Sequence, residues 1–179
     1  MIANALTGLR LLLVVPVAWA CADPDWLPGP ILAVMVALAI ATDFADGRLA
    51  RHLGTASPAG MLFDHATDFL FVTSALFGAA LAGLVTPWLP LLIVIAFSQY
   101  VVDSYWLYRR KILRMSFLGR WNGVFYFVPV VVIAASRLDI VRSAEDVMMM
   151  AVEWLGWGLL VSTLVSIVDR AIAPLRRGH

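Results

Sequence analysis

The sequence predicts an all-α membrane protein with six transmembrane helices and both termini cytoplasmic, in a single membrane domain over residues 1–179. Three observations carry that prediction: composition, the length of the apolar segments and the distribution of basic residues. Of the 179 residues, 62% are hydrophobic and 14% charged, and the mean hydropathy is +0.89. Soluble domains run at about 45–50% apolar and about 25% charged. A water-soluble globule of this size has too little interior to hide so much apolar surface. A soluble enzyme domain, a disordered chain and a collagen-like chain are thereby excluded. The net charge of +1 gives no electrostatic case for a nucleic-acid partner. With Cys21 as the one cysteine, no intramolecular disulfide can form and a thiolate metal site is not expected.

Six segments approach the roughly 20 apolar residues that cross a bilayer: 5–22, 30–51, 60–82, 87–108, 118–136 and 147–168. The first has no basic stretch before its apolar run and no small-x-small cleavage site, so it reads as a helix and not a removed signal. Asp23-Pro24-Asp25 and Pro28-Gly29-Pro30 then break the chain before the second segment. Ser57-Pro58 precedes the third segment, and Thr86-Pro87 opens the fourth. The links are short, so neighbouring helices run antiparallel, and no linker is long enough to divide domains. Orientation follows from the thirteen basic residues. With the N-terminus inside, eleven fall at inner ends and loops: Arg10, Arg48, Arg51, Arg109, Arg110, Lys111, Arg114, Arg120, Arg170, Arg176 and Arg177. Two, Arg137 and Arg142, fall outside beside Asp23, Asp25, Asp139, Glu145 and Asp146. That asymmetry places both termini in the cytoplasm. Trp19, Trp26 and Trp88 then lie near the outer boundary, and Trp106 and Trp121 near the inner one, as an interfacial belt.

The carboxylates carry the chemistry. The purely apolar part of the second segment, residues 31–41, is too short to cross, so the span takes in Asp43 and Asp46 near its cytoplasmic end. The third segment likewise takes in Asp64 and Asp68. An Asp at the bilayer centre costs about 2.5–3.5 kcal/mol on insertion scales, so four of them imply a use. Asp43 and Asp46 are spaced i,i+3 on one helix face, and Asp64 and Asp68 i,i+4 on another. Two antiparallel neighbours joined by a short cytoplasmic loop can bring both pairs to one depth. Four carboxylates in one pocket repel unless protonated or neutralised, and their hard oxygens suit Mg²⁺ or Mn²⁺. Gly47 and Ala50 leave the helix wall bare beside Asp46, and Arg48 and Arg51 add positive charge suited to a phosphate-bearing ligand. The residues alone leave three uses open: phosphate chemistry with metal, cation or proton translocation, and structural pairing with arginines. Clustering near one face favours the enzyme over a transporter with midplane charges.

The spacing of these residues resembles the CDP-alcohol phosphotransferase (CDP-alcohol phosphatidyltransferase) family, whose signature is D-x2-D-G-x2-A-R-x8-G-x3-D-x3-D. Here it reads Asp43, Asp46, Gly47, Ala50, Arg51, Gly60, Asp64 and Asp68, eight fixed positions across 26 residues. Asn4, Leu6, Thr7 and Arg10 are similar to the family's N-terminal N-x-L-T-x2-R stretch. The resemblance implies a metal-dependent enzyme of phospholipid biosynthesis in the cytoplasmic membrane, with its active site facing the cytoplasm. It would transfer a phosphatidyl group from CDP-diacylglycerol to an alcohol and release CMP. It further implies two Mg²⁺ or Mn²⁺ ions held by Asp43, Asp46, Asp64 and Asp68, with Asp68 also the general base. Asn4, Thr7, Gly47, Arg51 and Ser57 would meet the CDP-lipid donor, and homodimers are common in the family.

The motif is silent on the acceptor. Ser116-Phe117-Leu118-Gly119-Arg120 resembles the S-x2-G-[KR] stretch of phosphatidylglycerophosphate synthases, to which the chain is closest in character. That points to a small phosphorylated alcohol, glycerol 3-phosphate first, with inositol phosphate or a neutral alcohol as alternatives. Arg110, Arg114 and Arg120 are the expected acceptor-phosphate residues. Phe97-Ser98-Gln99-Tyr100 stands where those synthases carry an Ala-Arg-Glu-like element, a departure from their pattern. Gln99 and Asp103 are polar residues inside the fourth segment, where a lone carboxylate needs a partner, and His65 could support the metal site.

Overall fold

The computed structural model describes the backbone of residues 2–52, 58–103 and 117–172, and the side chains of 5–46, 60–103 and 118–172. Within these residues the secondary structure is helical throughout. The elements are α1 (Ile2–Ala22), α2 (Gly29–His52), α3 (Pro58–Leu81), α4 (Trp88–Val102), α5 (Phe117–Phe125), α6 (Phe127–Ser136), a 3₁₀ turn (Asp139–Ala144) and α7 (Glu145–Ile172). Four stretches are long and apolar enough to cross a membrane: Ala5–Ala22, Gly29–Asp46, Leu118–Ser136 and Asp139–Ile172. They mark a membrane protein. The helix α4 is shorter, and the expected continuation to residue 108 lies outside the described residues. In α3 the N-terminal half carries Asp64, His65 and Asp68, which lowers its hydropathy.

Local chemistry sets the boundaries. The turn after α1 closes when the Asp25 N–H donates to Asp23 Oδ1 at 3.1 Å, the Asx geometry that Asp favours. After α3 the chain turns through Gly83 at φ +74°, with Leu84 N–H donating to the Ala79 carbonyl at 2.9 Å and Gly83 N–H to Ala80 at 3.1 Å. This is a Schellman cap, and its left-handed residue favours glycine. The fifth predicted helix differs from expectation. It breaks into α5 and α6 around Tyr126, because Pro129 has no N–H to donate to the Phe125 carbonyl. The backbone at Tyr126 stays helical, at φ −62° and ψ −24°, so the two pieces form one apolar stretch. The 3₁₀ turn before α7 is a further feature absent from the sequence expectation.

The core is built from helical stripes. The buried residues of α7 are Val152, Gly156, Leu159, Thr163 and Ser166, steps of three and four that keep one face inward. They meet Leu89 and Ile93 of α4 and Val130 and Ile133 of α6, all buried. On the other side α1 packs against α2 and α3. A Cβ at Gly78 of α3 would collide with the Ala18 carbonyl of α1, so the two backbones touch there. Trp19, Trp26, Trp88 and Trp121 are exposed, and Trp106 lies outside the described residues.

Candidate functional site

The stripes that form the core continue into the site. On α2 the buried residues Leu32, Val36, Ala39 and Thr42 lead to Asp46, also buried at 3% exposure. On α3, Ala75, Phe71 and Thr67 lead back to Asp68 and Asp64. On α1, Val17 leads back to Arg10 and Thr7, both buried. Three apolar faces thus end in polar residues at the same depth, and those residues meet.

The meeting point is the Arg10 guanidinium, whose side chain is 0% exposed. Its Nη2 lies 2.9 Å from Asp46 Oδ2 and 3.4 Å from Asp43 Oδ1, both on α2. Its Nη1 lies 3.1 Å from Asp64 Oδ1 and is bonded to Asp68 Oδ1, both on α3. One turn earlier on α1, Thr7 Oγ1 donates to Asp46 Oδ2 at 3.0 Å. The expected convergence of the four carboxylates is therefore present. Sequence reasoning placed Arg10 among the inner basic residues and in the N-terminal stretch but gave it no role. The signal was available in its register: Arg10 lies seven residues before Val17, on the same buried face.

Charge arithmetic then bears on metal. One guanidinium cannot neutralise four ionised carboxylates, so the remaining charge must be offset by protonation or by bound cations, since uncompensated buried charge is costly. Two groups of ligand atoms lie within 4.8 Å of one another: Asp43, Asp46 and Asp64, and Asp64, His65 and Asp68. The first is an all-oxygen set, suited to a hard divalent cation. His65 Nδ1 stands 4.0 Å from Asp64 Oδ2, beside the site as expected.

Beside the carboxylates opens a cavity of about 410 Å³. Asp43, His65 and Asp68 line its acidic end, and Arg120 and Arg170 line a basic part. Ile40, Val72, Ile93, Phe97 and Phe127 supply apolar wall. Gly119 and Gly123, spaced i,i+4 on α5, line it as well, and a Cβ at Gly123 would meet nothing within 4 Å. Among the described residues Arg120 pairs with no carboxylate. Arg170, counted from sequence only as an inner charge, lies 3.7 Å from Asp103 and stacks over Tyr100 at 5.2 Å from its centroid. Asp103 thus has the partner that a carboxylate inside an apolar helix needs. Gln99 Nε2 donates to the Ile167 carbonyl at 3.3 Å, tying α4 to α7. The same helix α7 is tied to α5 by Ser162 Oγ donating to Asn122 Oδ1 at 2.6 Å, and to Tyr126 through its hydroxyl at 2.7 Å from Thr163 Oγ1.

Of the other expected site residues, Gly47 and Arg51 lie on α2 and Asn4 on α1, but their side chains fall outside those described. Ser57, Arg110 and Arg114 lie outside the described residues altogether. Thr7 donates to Asp46, and neither residue is among those lining the cavity.

Neither a curated protein nor a solved structure gives a match. The family model for CDP-alcohol phosphatidyltransferase matches residues 1–169. That span takes in α1 with Arg10, both carboxylate pairs and α7 up to Asp169. The family is one of transferases. On this match, with the Asp43, Asp46, Asp64 and Asp68 cluster beside an amphiphilic cavity, the chain belongs to the CDP-alcohol phosphatidyltransferase family.

Proposed function

We propose that the protein transfers a phosphatidyl group from CDP-diacylglycerol to a small phosphorylated alcohol, glycerol 3-phosphate first, releasing CMP on the cytoplasmic side of the cytoplasmic membrane. The observation that carries this reading is one cavity lined both by carboxylates and by Arg120, which pairs with no carboxylate among the described residues. Asp43 and Asp68 stand at one part of its wall and Arg120 at another. A donor diphosphate suits a cation held by the carboxylates, an acceptor phosphate suits Arg120, and the apolar wall suits acyl chain. In this reading the chain crosses the membrane six times, α3 and α4 included, with both termini cytoplasmic. The helix α3 has 24 residues, about 36 Å of helix, and its polar half lies toward the cytoplasm.

Asp43, Asp46, Asp64 and Asp68 would hold two divalent ions, Mg²⁺ or Mn²⁺. Bound there, such ions neutralise phosphate charge and stabilise the charge that develops on the leaving group. The protein's own part is positioning and proton transfer. Asp68 accepts the proton of the acceptor hydroxyl as that oxygen bonds to the lipid-side phosphorus. The bond from that phosphorus to the CMP oxygen breaks, and CMP departs with the electron pair. Asn4, Gly47, Arg51 and Ser57 are assigned to the donor nucleotide, and Thr7 acts on the donor through Asp46, to which it donates. Arg120, with Arg110 and Arg114, is assigned to the acceptor phosphate, where a charge-assisted hydrogen bond is worth about 1.5–3 kcal/mol.

The test is CMP release by the purified protein from CDP-diacylglycerol with glycerol 3-phosphate, inositol phosphate and neutral alcohols offered separately. Turnover with glycerol 3-phosphate, inhibited competitively by inorganic phosphate, is the expected result. Turnover restricted to a neutral alcohol and indifferent to phosphate would move Arg120 out of the acceptor site.

A further inference from the structure

We propose that Arg10 is a positioning residue for the carboxylates, fixing the α2 pair against the α3 pair without itself lining the cavity. The inference rests on the metal-dependent reading above and adds a residue that works through the carboxylates.

The division of labour within the guanidinium is the first argument. Nη2 serves the two carboxylates of α2, and Nη1 serves the two of α3. A guanidinium is a planar fork with its donors at fixed separation, so one rigid group spans two helices. Arg10 meets Oδ1 of Asp43, Asp64 and Asp68 and Oδ2 of Asp46. The second argument is location. The Arg10 side chain is fully buried, and neither Arg10 nor Thr7 lines the cavity, whereas Asp43 and Asp68 do. A ligand in the cavity would therefore meet Asp43 and Asp68 directly, and Arg10 only through them. The third is anchorage. Arg10 can hold a register only if α1 is itself held, and α1 packs backbone to backbone on α3 at Gly78, where a Cβ would collide with the Ala18 carbonyl.

Positioning and simple charge predict opposite signs. A cation beside a metal site repels the metal, so by charge alone Arg10→Gln should bind divalent ions more tightly. If Arg10 positions the ligands, its loss scatters the two pairs and affinity falls. Partners that orient metal ligands are worth about 10–100-fold in affinity. Arg10→Lys keeps the charge and loses the fork, since a lysine presents a point charge on a flexible stem.

The experiment is Mn²⁺ binding to the full chain in detergent, with free Mn²⁺ counted by electron paramagnetic resonance, for wild type, Arg10→Lys, Arg10→Gln and Thr7→Val. At least about a tenfold rise in Kd is expected for both Arg10 variants, and a smaller rise for Thr7→Val, which removes a hold on Asp46 without changing charge. Affinity equal to or tighter than wild type in Arg10→Lys and Arg10→Gln would make Arg10 a counter-charge only and overturn the inference. Should the Arg10 variants fail to give monodisperse protein, Thr7→Val decides: unchanged affinity would overturn it. A wild-type chain that binds no Mn²⁺ is a separate outcome, which fells the metal reading itself.

Discussion

The two ends of the cavity are built differently. At the acidic end, α1, α2 and α3 converge on one buried guanidinium that reaches all four carboxylates within 3.4 Å. Every carboxylate there is held by Arg10 of α1, and Asp46 by Thr7 as well. At the basic part, formed by α5 and α7, Arg170 is held by a single carboxylate at 3.7 Å and a ring, and Arg120 is exposed and has no carboxylate partner among the described residues. The first region is over-determined and the second is open. On the proposed function, the transfer chemistry would rest on the closely packed cluster and the choice of acceptor on a wall that can change without disturbing it.

Substitutions at the two ends sharpen that contrast, and the largest effect belongs to the rigid one. Asp68→Asn removes the proposed general base, so kcat should fall by about 10²–10⁴ while CDP-lipid binding, measured by equilibrium titration, changes far less. A near-normal rate would take the base role from Asp68. At the open end Arg120→Ala should raise the acceptor KM by about tenfold or more, the equivalent of one charge-assisted hydrogen bond, with the donor KM nearly unchanged. Normal kinetics in correctly inserted protein would make Arg120 a topological charge. The smallest effect is expected at Asp103→Asn. Its ion pair with Arg170 is long and partly exposed, worth about 0.2–1 kcal/mol, so the thermal midpoint should fall by only about 1–3 °C. A collapse of stability there would show that the basic part is as tightly specified as the acidic one.

The same contrast explains what the sequence could reveal. Asp43, Asp46, Asp64 and Asp68 sit in two short runs on neighbouring helices, so helical spacing alone brings each pair to one face, and a short connection brings the faces together. Arg10 lies on a third helix, and no local spacing rule links it to residues 33 or more positions away. Its burial became predictable only through its register with Val17. The Asp103–Arg170 pair is more remote still, since it depends on α4 and α7 packing together across the bundle. The break at Tyr126 had a visible cause in Pro129, whereas the 3₁₀ turn at Asp139–Ala144 has no comparable marker. The helices themselves were legible because apolar length is a strong signal, and their ends because Pro, Gly and Asp mark the turns.

In the proposed function the four clustered carboxylates serve a metal-dependent phosphatidyl transfer. Its most direct test is CMP release from CDP-diacylglycerol and acceptor by purified protein stripped with excess EDTA, then resupplied with Mg²⁺ or Mn²⁺, beside an Asp43→Asn variant carried through the same steps. The account predicts no turnover in EDTA, recovery in wild type on adding either ion, and no recovery in Asp43→Asn. Full turnover in excess chelator with no residual bound metal would contradict it.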